Sequence, residues 1–148
     1  MDEISAQDLE TLIKKKKRFL KRYRKNIACI ERLEKKLALL DDRITGLKSP
    51  SLSGMPRGGV PVTIDDLISD KLDLEERIKR LKAKSRDLKN EVCEEIDSLE
   101  DSIDCEILEA FFIDGLSFEE IAEDLGYTER RVIARYSEAI RILSLSGQ

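Results

Sequence analysis

The sequence predicts an all-α protein: a long antiparallel helical hairpin followed by a three-helix module built round a helix-turn-helix. Two long segments repeat apolar residues at steps of three and four without an internal proline. All three prolines and three of the seven glycines fall in the stretch between them. Near the C-terminus, Ala122, Gly126 and Val132 stand at the offsets that two short helices crossing at a steep angle require. Composition agrees, since 39% charged residues, 5% aromatics and no Trp suit solvated helices better than a sandwich or an α/β core.

The first helix is expected from Ser5 to Leu47. Leu9, Leu12, Leu20, Tyr23, Ile27, Ile30, Leu33, Leu37, Leu40, Ile44 and Leu47 make one narrow seam along it. At ~1.5 Å per residue, an unbroken helix of this length extends roughly 65 Å. The segment Ser49-Pro-Ser-Leu-Ser-Gly-Met-Pro-Arg-Gly-Gly-Val-Pro-Val62 ends it. This loop lacks the Lys-Ser/Thr ending of a phosphate-binding P-loop. It reads as a hairpin tip or as a partner surface, with Met55 and Arg57 the candidate contacts. Thr63 and Asp66 form a capping box for the second helix, whose seam runs through Leu67, Leu74, Ile78, Leu81, Leu88, Val92, Ile96, Leu99 and Ile103. Neither narrow stripe can be buried alone, so the helices pair with each other, with a second copy of the chain, or both. Residues 1–97 are assigned to the hairpin and 98–148 to the C-terminal module.

Lys14, Lys15, Lys16, Lys17 and Arg18 form a basic run continued by Lys21, Arg22, Arg24 and Lys25. An antiparallel return sets this run opposite a segment holding Glu91, Glu94, Glu95 and Asp97. The cations therefore either match carboxylates across the seam or meet phosphate or a protein partner.

In the C-terminal module, Ser98 with Asp101 is expected to cap a helix reaching about Ile113, and Gly115 suits its left-handed exit. Ser117 with Glu120 forms a capping box for a short helix from Phe118 to Leu125, which Gly126 ends. Thr128 caps the last helix, which continues to about Leu143. Ile121, Ala122, Leu125, Val132, Tyr136, Ala139, Ile140 and Leu143 are its expected core.

Charge is unevenly distributed. Residues 1–48 carry net +6, residues 49–97 net −2 and residues 98–148 net −8, giving −4 for the whole chain. The absence of His removes every His-based general base, triad or metal site. Cys29, Cys93 and Cys105 are three widely separated thiols, which do not make a zinc site. The expectation is a cytoplasmic protein with no membrane association, cofactor, metal, small-molecule substrate or enzymatic activity.

Ile107-Leu-Glu-Ala-Phe-Phe-Ile-Asp-Gly-Leu-Ser-Phe-Glu-Glu-Ile-Ala-Glu-Asp-Leu-Gly126, continued by Val132-Ile-Ala-Arg-Tyr-Ser-Glu-Ala139, resembles region four of bacterial sigma factors, which reads the −35 promoter element. The loop around Gly54-Met-Pro-Arg-Gly-Gly59 is similar to one in sigma-like late-gene regulators of phage and prophage, of the ArpU and RinA types. The resemblance implies a transcription regulator bound to promoter DNA, with the last helix in the major groove. By position it implies DNA contacts from Glu129, Arg130, Arg131, Ile133, Ala134 and Ser137. Arg135 and Arg141 are aimed at phosphates, and Ser117 and Thr128 offer helix-start amides. Arg130 and Arg131 are the candidate guanine readers. Double-stranded DNA, bacterial RNA polymerase and a second copy through the long helices are the implied partners. The preceding helix departs from the sigma pattern in crowding Glu119, Glu120, Glu123 and Asp124 together. Two alternatives stand beside this reading: a genome-packaging DNA-recognition protein of the small-terminase kind, and a coiled-coil adaptor whose C-terminal module binds protein.

Overall fold

Residues 5–48 and 63–144 are described by the computed structural model, and they form six helices with no strand among them. The loop 49–62, with Met55 and Arg57, lies outside the described residues.

The first long run forms two helices, α1 (Ala6–Leu20) and α2 (Arg22–Lys48), instead of one. Ser5 caps α1 by accepting the Asp8 amide at 3.1 Å. Lys21 stays in the right-handed region, but its ψ of −9° departs from the helical value. Helical hydrogen bonds still cross the junction, from Lys21 N–H to Lys17 and from Lys25 N–H to Lys21. The interruption is therefore a local loosening that no Pro or Gly marks. Helix α3 (Ile64–Asp97) opens on the expected capping box: Thr63 Oγ1 accepts the Asp66 amide at 3.1 Å, and Asp66 accepts the Thr63 amide at 3.4 Å.

Two compact units emerge. In the unit spanning 26–84, Ile30, Leu33 and Ile78 form a buried cluster with Ile27, Leu37, Leu74 and Leu81 packed round it. Asn26 Nδ2 donates to the Leu81 carbonyl at 2.9 Å, and Lys71 pairs with Asp41 at 2.8 Å farther along. This is the ordering of antiparallel packing. The hydrogen bond to Asp41, with its charge, raises the Lys71 pKa.

The second unit combines residues up to 25 with those from 85 onward. Its core joins Leu20 of α1 and Val92 and Ile96 of α3 to α4 (Ser102–Phe112), α5 (Phe118–Leu125) and α6 (Glu129–Ile142). Ile107, Leu108, Phe112, Ile121, Ala122, Val132, Tyr136, Ala139, Ile140 and Leu143 are all buried in it. Each large apolar side chain there contributes about 1.5–3 kcal/mol by leaving water. Of the expected core, Leu125 is only half-buried.

The α4 cap differs from expectation. Asp101 itself is the N-cap, accepting the amides of Ile103 at 2.8 Å and Asp104 at 3.3 Å. The Ser98 hydroxyl donates instead to the Glu95 carbonyl at 2.6 Å, closing α3. A carboxylate outcompetes a hydroxyl here because the bonds it accepts are charge-assisted.

Gly115 and Gly126, at φ +73° and +71°, are the described residues with positive φ. A Cβ at Gly126 would meet nothing within 4 Å, whereas at Gly115 it would lie 2.8 Å from the Arg24 guanidinium carbon. Gly126→Ala is expected to cost about 1–2 kcal/mol from backbone strain alone, and Gly115→Ala more. Urea unfolding should show that excess vanish in an Arg24→Ala background; an excess that persists would contradict the packing of Arg24 on Gly115.

Candidate nucleic-acid interface

Helix α5 starts at a complete capping box. Ser117 Oγ accepts the Glu120 amide and Glu120 accepts the Ser117 amide, both at 3.2 Å. It ends at Gly126 in the left-handed region, where the Tyr127 amide reaches back to the Ala122 carbonyl at 2.9 Å. Two residues later Thr128 Oγ1 accepts the Arg131 amide at 3.2 Å and begins α6. Ala122 and Val132 are 5% and 0% exposed in the same core, so α5 and α6 close on each other across this turn.

Burial of Val132, Tyr136, Ala139 and Ile140 fixes the rotation of α6. Arg130, Ile133, Ala134 and Ser137, at i, i+3, i+4 and i+7, share the opposite, exposed face. Ile133 is 40% exposed and holds an aliphatic surface out to solvent. Glu129 and Thr128 are exposed at the start of the same helix.

The four arginines of α6 have different surroundings. Arg130 makes no ion pair among the described residues. Arg131 stacks its guanidinium on Tyr127, 4.1 Å from the ring centroid, which orients the side chain. Arg141 pairs with Glu138 at 3.2 Å. Arg135 is held by Asp101 at 2.7 Å and by Asp104 at 3.1 Å. The hydrogen bond to Asp104 raises the Arg135 pKa, with Asp101 adding to it. Asp104 is 8% exposed, so the guanidinium neutralises a carboxylate that has lost most of its water. Arg135 thus serves first to pin α6 to the start of α4. Its partners, a carboxylate pair at i and i+3 on the first turn of α4, were the signal that sequence reasoning passed over.

Ser117 also departs from the resemblance. Its amide is already satisfied by Glu120, and Glu119 adds a second carboxylate to that turn. An anion arriving there meets negative charge.

The basic run divides in a way its sequence does not show. Lys16 is buried, and its ammonium donates to the Arg141 carbonyl at 2.9 Å, where the open end of α6 favours a cation. Burial lowers the Lys16 pKa. It is a structural contact and not a surface one, because its position on α1 faces α6. Lys17 lies over the Tyr136 ring at 5.8 Å. Lys14, Lys15 and Arg18 are exposed. In this run Arg22 meets Glu91 across the seam at 3.0 Å.

No helix among the described residues is long and apolar enough to cross a membrane, and no group of three or more His, Cys, Asp or Glu side chains there could hold a metal ion. Burial raises the Cys93 and Cys105 pKa values, which keeps both thiols protonated. Comparison of the chain with family models, with curated proteins and with solved structures found no match.

Two measurements test these contacts. Arg135→Ala should cost about 2 kcal/mol of stability, and a double-mutant cycle with Asp104→Asn should show strong coupling; additive effects would break the pairing. Burial raises the Tyr136 pKa above its ordinary 10.0. The unfolded tyrosine then ionises first, so stability falls as pH rises past about 10. Tyr136→Phe should flatten that alkaline decline, and an unchanged decline would place its cause elsewhere.

Proposed function

We propose that this chain is a sequence-specific DNA-binding regulator of transcription, of phage or prophage origin, in which α5 and α6 act as a sigma region-four-like helix-turn-helix. The exposed face of α6 carries the reading. Its core-bound side is locked, and Arg130, Ile133, Ala134 and Ser137 are left on one outward stripe. Small residues at 134 and 137 let the helix approach base edges closely. Ile133 offers aliphatic contact to a thymine methyl, and Arg130 has the reach and free donors for guanine. Arg131, steadied on Tyr127, stands beside it.

Dimerisation through the long helices belongs to the same proposal. Leu39 and Leu72 are 65% and 61% exposed in the 26–84 unit, and Leu39 lines a groove with Lys36, Arg43, Asp70, Asp73 and Arg77. A patch carrying both signs round an apolar centre suits self-complementary pairing. Two copies would multiply a weak single-site affinity, and RNA polymerase is the other partner that would do so.

Sequencing the duplex fragments retained by the purified protein, with and without polymerase, should return one enriched motif. On that motif Arg130→Ala should cost about 1–3 kcal/mol while random duplex is held as before. Equal loss on all sequences would reduce Arg130 to a phosphate contact. The absence of any enriched motif would overturn the proposal.

A further inference from the structure

We infer that the charge holding this protein to duplex DNA resides on α1 and the start of α2, and not on α6. This inference rests on the reading of α6 as the base-contacting helix and supplies what that helix lacks.

Lys14, Lys17, Arg18, Lys21, Arg22 and Lys25 line one open groove of the second unit. Their spacing of three and four puts all six on one helical face. Lys14 is paired with Glu10 at 3.6 Å and Arg22 with Glu91 at 3.0 Å; the other four make no ion pair among the described residues. The chain contains 31 acidic residues, yet among the described residues the groove is lined by cations alone. Like charges one helical turn apart repel, as in Lys14 with Arg18, Lys17 with Lys21, and Lys21 with Lys25. This repulsion opposes folding, and a polyanion relieves it.

Four features select the phosphate backbone of a duplex as the occupant. The stripe extends about 16 Å at the helical rise, which spans about five phosphates of one strand at ~3.4 Å of axis each. Among the described residues no Leu, Ile, Val, Met or aromatic side chain lines the groove to seat a protein partner. Lys16 and Lys17 fasten α1 directly to α6 through the Arg141 carbonyl and the Tyr136 ring, so stripe and base-contacting helix belong to one body. The segment 98–148 carries net −8, and a DNA-binding helix in such surroundings needs cations from another element.

The test compares the full-length protein with a quadruple variant, Lys14→Gln, Arg18→Gln, Lys21→Gln and Lys25→Gln, and with Arg130→Ala. The quadruple variant spares the packed Lys16 and Lys17 and the paired Arg22. Binding to random and to enriched duplex is followed by fluorescence anisotropy between 50 and 200 mM salt, with helicity checked by circular dichroism. A matching set of Lys→Arg replacements at 14, 21 and 25 controls for packing and should bind as the wild type does. Four lost phosphate contacts should reduce the salt-dependent fall in affinity by about 100-fold over that range, equally on both duplexes. A quadruple variant with the wild-type salt slope overturns the inference; if Arg130→Ala still abolishes the preference for the enriched motif, the α6 reading stands without it. A lost slope alongside an inert Arg130→Ala supports the stripe and removes the α6 reading. Polyglutamate competing as well as duplex of equal charge overturns the phosphate assignment and gives the groove to an acidic protein segment. A wild type that holds no duplex overturns both.

Discussion

Phe111, Phe112, Phe118 and Tyr136 meet with ring centroids 4.7 to 5.8 Å apart, in a mixture of stacked and edge-on geometries. These four rings come from α4, α5 and α6, and Lys17 of α1 sits over the Tyr136 ring. With four Phe and three Tyr in the chain, most of its aromatic surface is concentrated at this one place. Aromatic pairs restrict angle as well as distance, so the cluster sets how α6 is rotated against its neighbours. Which residues of α6 face outward follows from that rotation. The functional reading follows in turn.

Electrostatics then divides labour among the cations. Arg135 is bound into the fold by Asp101 and Asp104, Arg141 is paired beside Glu138, and Lys16 closes the C-terminal end of α6. What remains for a partner is a small number of positions with separate tasks. Arg130 lies at the tip of the outward stripe of α6 with Arg131 beside it, and a row of cations lies along α1 and the start of α2. A module whose own charge is strongly negative can work this way, because reading bases and attracting phosphates are different jobs. In the proposed complex the acidic turn at Ser117, Glu119 and Glu120 would add orientation, by repelling a phosphate backbone that arrives at that end of α5.

Local signals in the sequence were strong where one residue type suffices. Ser117 with Glu120, Thr63 with Asp66, Thr128, Gly115 and Gly126 each have a short-range reason to be where they are, and each takes the backbone role expected of it. The helical periodicity also located Ala122, Val132, Tyr136 and Ala139 correctly in a core. Harder to read were features decided by three-dimensional neighbours. The loosening at Lys21 has no breaker residue. Asp101 takes the cap while Ser98 turns back to the Glu95 carbonyl; both are good caps, and the charge-assisted bonds of the carboxylate decide between them. Lys16 looks identical to Lys14, Lys15 and Lys17 in the sequence, yet it alone of the four is buried, because α6 lies against its side of α1. The fate of Arg135 was likewise hidden, since its partners are more than thirty positions away.

The central claim is that the stripe formed by Arg130, Ile133, Ala134 and Ser137 is the surface that meets duplex DNA. Amide chemical shifts of the intact protein, recorded while an enriched duplex is titrated in, test it most directly. The account predicts the largest changes in residues 128–137. Changes confined to α5, or to the 26–84 unit, with α6 unmoved at saturation, would contradict it.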